Sequence, residues 1–301
     1  MAFETELEKN KNAWLFAPPA LAQLTSKEGL LHSLNSGIMI HRVAQVNYDY
    51  LADARNFALE LQRYMNGKLS PDATVLVYEE VLGGHGRMHW LLHMKTPADY
   101  GRLLHLVDHD KAFQEIYQGD RLPKRGGGNW ERIFVQGSFQ EHVMVPQHGF
   151  AREAMDELEP DRFLPPARHQ ISDANAPFLD SAHCGALVLR SIQARYESRD
   201  LARFYLSEWQ SHVNNALGGS VSVAQFEEMW GTQDRLYLII HLRDLNAFAQ
   251  LRQLEIEDKR LHALMQKPRV NINGEDMAWG GLFDTASMVD KVLLPVAPPR
   301  A

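Results

Sequence analysis

The sequence predicts an α+β fold: two ferredoxin-like β-α-β-β-α-β repeats, residues 1–148 and 149–301, packed sheet to sheet as an intramolecular α+β barrel. Three observations predict it. The chain repeats itself at a fixed offset. In both halves the hydrophobic period switches between 2 and 3.6 in the same order. A sheet covered by helices on one side also leaves a bare face, which must be buried against something.

The repeat is read by aligning Gly37-Ile38-Met39-Ile40-His41-Arg42-Val43-Ala44-Gln45 with Gly185-Ala186-Leu187-Val188-Leu189-Arg190-Ser191-Ile192-Gln193. An offset of 148 holds without a gap from Gly37/Gly185 to Gln118/Gln266. Roughly twenty of about eighty positions are identical over that run. The offset then slips by one, so that Trp130 meets Trp279 and Pro146 meets Pro295.

Within the first half, residues 38–48 alternate and are rich in Ile and Val, the pattern of a strand. Leu51, Ala54, Phe57, Ala58, Leu61 and Met65 follow helical spacing. Residues 75–82 and 87–94 make a hairpin around Gly83-Gly84-His85-Gly86. Thr96-Pro97-Ala98-Asp99 opens a second helix, which Gly119 ends. Residues 130–136 read as the fourth strand, with 142–145 as a short extra one. The second half repeats this with a strand at 186–196, a helix at 200–216, a hairpin at 221–242, a helix at 245–266 and a strand at 278–285. Residues 149–182 read as a lead-in strap.

Composition narrows the function. A net charge of −7 argues against nucleic acid as the main partner. No apolar run reaches the roughly 18 residues of a membrane span. The polar start Met1–Lys11 is no secretory signal. The single cysteine, Cys184, excludes an internal disulfide and any Cys-based metal cluster. The expectation is a cytoplasmic monomer or homodimer acting on a small molecule.

Strand alternation sorts the hairpins into faces. Met88, Trp90, Leu92 and Met94, with Leu236, Leu238, Ile240 and Leu242, suit packing under helices. Arg87, His89, Leu91 and His93, with Arg235, Tyr237, Ile239 and His241, look into the enclosed space. One of each pair Glu79-Glu80 and Glu227-Glu228 faces in: a four-residue turn sets Glu80 opposite His89 and a three- or five-residue turn sets Glu79 there, while the apolar parity of Leu76, Tyr78, Phe226 and Trp230 favours Glu79 and Glu227. His93, His89, Arg87 and Glu79 are therefore the candidate acid–base and anion-binding groups. Arg42, Tyr237, Arg235, His241 and Glu227 are candidate substrate-binding residues. The competing reading is a structural Glu–Arg–His network, and it stays open. His93→Ala is expected to cost turnover without unfolding, and His241→Ala to do less. His105 and His109 have metal-ligand spacing but read as a solvated helix face, so no metal site is expected. Gly126-Gly127-Gly128 reads as a hinge. Asp180, Ser181 and His183 lack a nucleophile-elbow context. Trp90, Trp130, Trp209, Trp230 and Trp279 read as core.

The stretch Phe226-Glu227-Glu228-Met229-Trp230-Gly231-Thr232-Gln233-Asp234-Arg235, running into Leu236–Leu242 and a helix, resembles the central hairpin of the dimeric α+β barrel superfamily. That superfamily includes antibiotic-biosynthesis monooxygenases and NIPSNAP-type proteins. The resemblance implies a small-molecule enzyme needing no cofactor: an oxygenase, cyclase or isomerase of specialised metabolism acting in the barrel interior. It implies two alternatives, a haem-dependent or haem-binding protein and a non-catalytic ligand-binding or assembly protein.

Overall fold

The structure is a computed structural model that describes residues 17–22, 29–147, 163–171 and 177–296. In the first half, β1 (Ile38–Gln45) leads to α1 (Leu51–Leu69), β2 (Ala73–Leu82) and β3 (Arg87–Met94). Helices α2 (Ala98–His109) and α3 (Lys111–Gln118), a short α4 (Trp130–Ile133) and β4 (Gln140–Pro146) complete it. The second half has β5 (Ala186–Ala194), α5 (Arg199–Leu217), β6 (Val221–Trp230), β7 (Arg235–Leu242), α6 (Leu245–Glu257) and α7 (Lys259–Gln266). A small hairpin of β8 (Val270–Ile272) and β9 (Glu275–Met277), then α8 (Trp279–Leu282) and the long β10 (Phe283–Pro295), close the chain.

Two separate sheets packed face to face do not form. Eight strands close into one barrel in the order β1-β3-β2-β10-β5-β7-β6-β4, and its strand pairs are antiparallel. The last strand of each half overturns the stacked-sheet expectation. β4 pairs with β1 of its own half and with β6 of the other, while β10 pairs with β5 and with β2. Joining edge to edge satisfies the backbone of every barrel strand, whereas stacking leaves four edges open.

The fourth strands also begin later than alternation predicts. Residues 130–133 and 279–282 form single helical turns that pack Trp130 and Trp279 on the helix side, and the strands start at Gln140 and Phe283. The helices expected at 96–119 and 245–266 are each broken in two. Asp110 and Asp258 lie at the breaks in extended conformation and cap α3 and α7 through the Phe113 and Leu261 amides. The strap proposed for residues 149–182 falls largely outside the described residues.

Three apolar clusters build the core. One lies between α1–α3 and the first-half strands around Phe57, Trp90 and Phe113. A second lies under α5–α7 around Tyr205, Trp209 and Leu238. The third fills the barrel with Met39, Leu76, Tyr78, Leu91, Leu187, Phe226, Ile239 and Leu293. The faces expected for Met88–Met94 and Leu236–Leu242 lie under the helices in the first two clusters. Leu76, Tyr78 and Phe226 point inward rather than toward helices, because the barrel lumen is itself a packed apolar core. Glu79 and Glu227 therefore face outward, and Glu80 and Glu228 face in.

Residues shared by both halves dock helix on sheet. Arg55 pairs with Glu79 at 2.7 Å, and Arg203 pairs with Glu227 at 3.0 Å. Asn66 and Asn214 each clamp a strand backbone through both amide atoms, at Val75 and Val223.

Candidate active site

The barrel has two unlike ends. At the end where β1 and β5 begin, the loops around Ser33 and Ser181 form a plug. The Ser33 amide donates to Ser181 Oγ at 2.9 Å, and the Ser181 amide donates to Ser33 Oγ at 3.0 Å. His241 donates from Nδ1 to the Ser222 carbonyl at 3.0 Å, so its Nε2 accepts from Ser33 Oγ at 2.7 Å. His93 joins Ser181 Oγ at 2.9 Å through Nε2 and Ser36 Oγ at 3.4 Å through Nδ1. Both rings are fully buried. Burial pushes His93 down to about 3 and His241 down to about 4, so both are neutral. Ser181 does bond a histidine, but that histidine meets Ser36 rather than a carboxylate. Asp180 instead pairs with His183 at 2.9 Å. The arrangement is a seal, not a nucleophilic triad.

The opposite end, where the β2–β3 and β6–β7 turns lie, is a polar mouth. Glu80 accepts from His89 Nε2 at 3.0 Å and from the Gly84 amide. His89 Nδ1 then has only a lone pair, so it accepts from His41 Nε2 at 2.7 Å. The chain of donors ends on His41 Nδ1, a buried acceptor with no partner among the described residues. Across the mouth Glu228 accepts from the Tyr237 hydroxyl at 3.0 Å and contacts His142 Nδ1 at 3.2 Å. The His142 ring stacks on His41 with centroids 5.9 Å apart. Both carboxylates curl back over glycines with positive φ, Gly83 at 128° and Gly231 at 142°. A Cβ at either glycine would collide with the carboxylate oxygen.

Electrostatics keep this chain poised. Burial raises the Glu80 carboxyl, but the hydrogen bonds from His89 and Gly84 outweigh it and hold the group below its usual range. Burial lowers His89 despite the pull of Glu80. Burial, with the charges of His89, Lys291 and His142, lowers His41 well below its usual value. The mouth therefore holds one carboxylate and two neutral imidazoles in line. Leu82 and Trp230, at matching places in the two halves, are 58% and 56% exposed, so Trp230 is not core.

The sequence-predicted residues thus separate. Arg87, His89, Arg235 and Tyr237 meet at the mouth. His93 and His241 sit in the plug. Glu79 and Glu227 are tied to α1 and α5. Arg42 lies on the helix side of β1, with Nε bonded to Glu141 Oε1 at 2.6 Å. It borders a narrow apolar slot of about 40 Å³ lined by Phe57, Leu61, Trp90, Val107 and Phe139. The matching place in the second half is occupied: Trp209 stands for Leu61 and Glu255 for Val107, and Arg190 contacts both. Glu80, His41, His142 and Lys291 were missed as site residues. The signal that could have found His41 is its alternation with Met39 on β1, and the Glu pair has the opposite parity to the one favoured from the sequence.

Three of the interior histidines are not free to hold haem: both ring nitrogens of His89, His93 and His241 are bonded within the protein. Among the described residues, no group of three or more His, Cys, Asp or Glu is placed to hold a metal ion. None of the described helices is long and apolar enough to cross a membrane.

Comparison with solved structures shows likeness of fold. Two proteins described as a "putative monooxygenase" match. The one from Lactobacillus acidophilus has a TM-score of 0.50 and 8% identity, over 87% of this chain and 95% of that one. The one from Fusobacterium nucleatum has a TM-score of 0.50 and 7% identity, over 86% and 92%. A chlorite dismutase variant from Candidatus Nitrospira defluvii gives a TM-score of 0.46 and 13% identity, over 90% and 96%. At such identities the likeness concerns the fold alone. No curated protein matches the sequence. The model of one family, described as a family of unknown function (DUF6039), matches residues 9–301, and the chain belongs to that family.

Proposed function

We propose that the chain is a small-molecule enzyme whose reaction begins with proton removal from carbon at the barrel mouth. It is of the isomerase, cyclase or cofactor-independent oxygenase kind. Each of these classes includes reactions that start with that step, and the mouth supplies a base for it. The observation that carries the reading is the unpartnered, buried Nδ1 of His41 at the end of the Glu80–His89–His41 chain. A proton taken there lets the Nε2 proton of His41 pass to His89, where the Glu80 carboxylate stabilises the imidazolium.

Divergence between the halves supports the same place. The docking residues Arg55/Arg203, Glu79/Glu227 and Asn66/Asn214 are kept in both copies. The mouth differs: His41 faces Leu189 in the alignment, His89 faces Tyr237, and His142 faces Lys291. These three differences turn a shared frame of Glu80/Glu228 and Arg87/Arg235 into a row of imidazoles in the first half alone.

The test is deuterium incorporation from D2O into a panel of small enolisable carbonyl compounds, followed by proton NMR. The expected result is exchange at least tenfold above buffer for some member, with no change of the others. Exchange at the buffer rate throughout, with tight binding of a panel member, would favour a non-catalytic binding protein.

A further inference from the structure

The acids of the mouth are saturated while its cations are not. Glu80 spends its oxygens on His89 and the Gly84 amide, and Glu228 spends its own on His142 and Tyr237. Arg87 and Arg235 approach these carboxylates only to 3.9 Å. Lys291 is half-buried on the inward face of β10, beside Leu293 of the barrel core. Among the described residues, Lys291 has no carboxylate within 4.0 Å and no side-chain hydrogen bond. It lies close enough to Glu80, Arg87 and Arg235 for each of their charges to act on it.

A half-buried ammonium without a counter-ion is costly, and an anionic ligand removes that cost. Leaving the histidines out of the count, three cations, Arg87, Arg235 and Lys291, face two carboxylates, Glu80 and Glu228, an excess of one positive charge (3 − 2 = +1). A monoanion balances it. The free lone pair of His41 accepts a proton but gives none, so it cannot serve an anion's oxygens. It needs a hydrogen from the ligand.

We propose that the mouth binds a small organic monocarboxylate bearing an acidic C–H, with the carboxylate held by Lys291, Arg87 and Arg235 and the C–H directed at His41 Nδ1. This rests on the acid–base reading above and adds the substrate class to it. When the step runs, the C–H bond breaks, its electron pair passes into the adjacent carbonyl as an enolate, and the proton goes to His41 Nδ1. The cations that hold the carboxylate also face the enolate charge.

Titration calorimetry of the full chain with acetoacetate, with its neutral methyl ester and with inorganic phosphate tests the proposal. Acetoacetate is expected to bind at least tenfold more tightly than either. Lys291→Met is expected to weaken acetoacetate at least tenfold, with the thermal midpoint kept. Lys291→Gln repeats the comparison should the methionine variant not fold. Equal binding of ester and acid, equal binding of phosphate, no binding of acetoacetate, or full affinity in both variants would overturn the carboxylate site. Charge-dependent binding without deuterium exchange in any bound carboxylate would uphold the site and refute the acid–base reading, so the two fail separately.

Discussion

His93→Ala is expected to destabilise the protein by about 4 kcal/mol, with His241→Ala close behind. Each ring fills the sealed end of the barrel and satisfies two partners. Its loss leaves a cavity and abandons Ser181 and Ser36, or Ser33 and the Ser222 carbonyl. This reverses the expectation from sequence that His93 contributes little packing and mainly serves turnover. The same rings make the fold acid-sensitive. Folded, they protonate at about 3 and about 4, against 6.5 for a free imidazole, so the unfolded chain binds more protons below pH 6.5. The stability they contribute is complete above pH 6.5 and is lost as pH falls through the window down to those values. At pH 5 each costs about 2 kcal/mol. Denaturant midpoints measured from pH 7 to pH 5 should therefore fall in the wild type and fall less in either variant. A pH-independent midpoint would contradict neutral burial of the plug.

The second large effect is kinetic. His41→Leu should lower mouth-dependent proton abstraction about 10²- to 10⁴-fold, the usual weight of a positioned base. The fold should tolerate it, because Leu189 already occupies the equivalent place in the other half as a buried residue. In the wild type the acid limb of kcat/KM should lie below pH 6.5, since the free His41–His89 pair stays neutral under that value. The contrasting variant is Glu79→Gln. It removes a half-exposed pair with Arg55 on the helix side, worth up to about 1 kcal/mol of stability, and should leave exchange unchanged. Equal loss of exchange in both variants would mean that the helix–sheet interface, not the mouth, governs the reaction.

The first strand, first helix and hairpin of each half were legible because alternation and helical spacing are local, whereas the strand expected at 130–136 is a helical turn and a strand instead runs from Gln140 to Pro146. So was the inward face of Arg87, His89, Arg235 and Tyr237, which follows from one strand's parity. Closure was not legible. Whether β4 turns back to β6, and β10 to β2, depends on edges far apart in sequence, and a stacked pair of sheets has the same local pattern. The error over Glu79 and Glu80 has a single cause. Leu76, Tyr78 and Phe226 were assigned to helices because they are apolar, yet a barrel of this size fills its own lumen with such residues. The role of His41 was hidden for a related reason. Alternation gives it a face, but its orphaned Nδ1 follows only from the bonds of His89 and Glu80.

The tautomers of that chain test the central claim most directly. In protein with 15N-labelled histidine, NMR at pH 7 should show His41 and His89 both neutral, both protonated at Nε2, with the unprotonated Nδ1 of His41 unbonded. Acetoacetate should shift that nitrogen, and the His41→Leu spectrum should assign the signal. A His41 protonated at Nδ1, or an imidazolium at pH 7, would leave the mouth without a base and contradict the account.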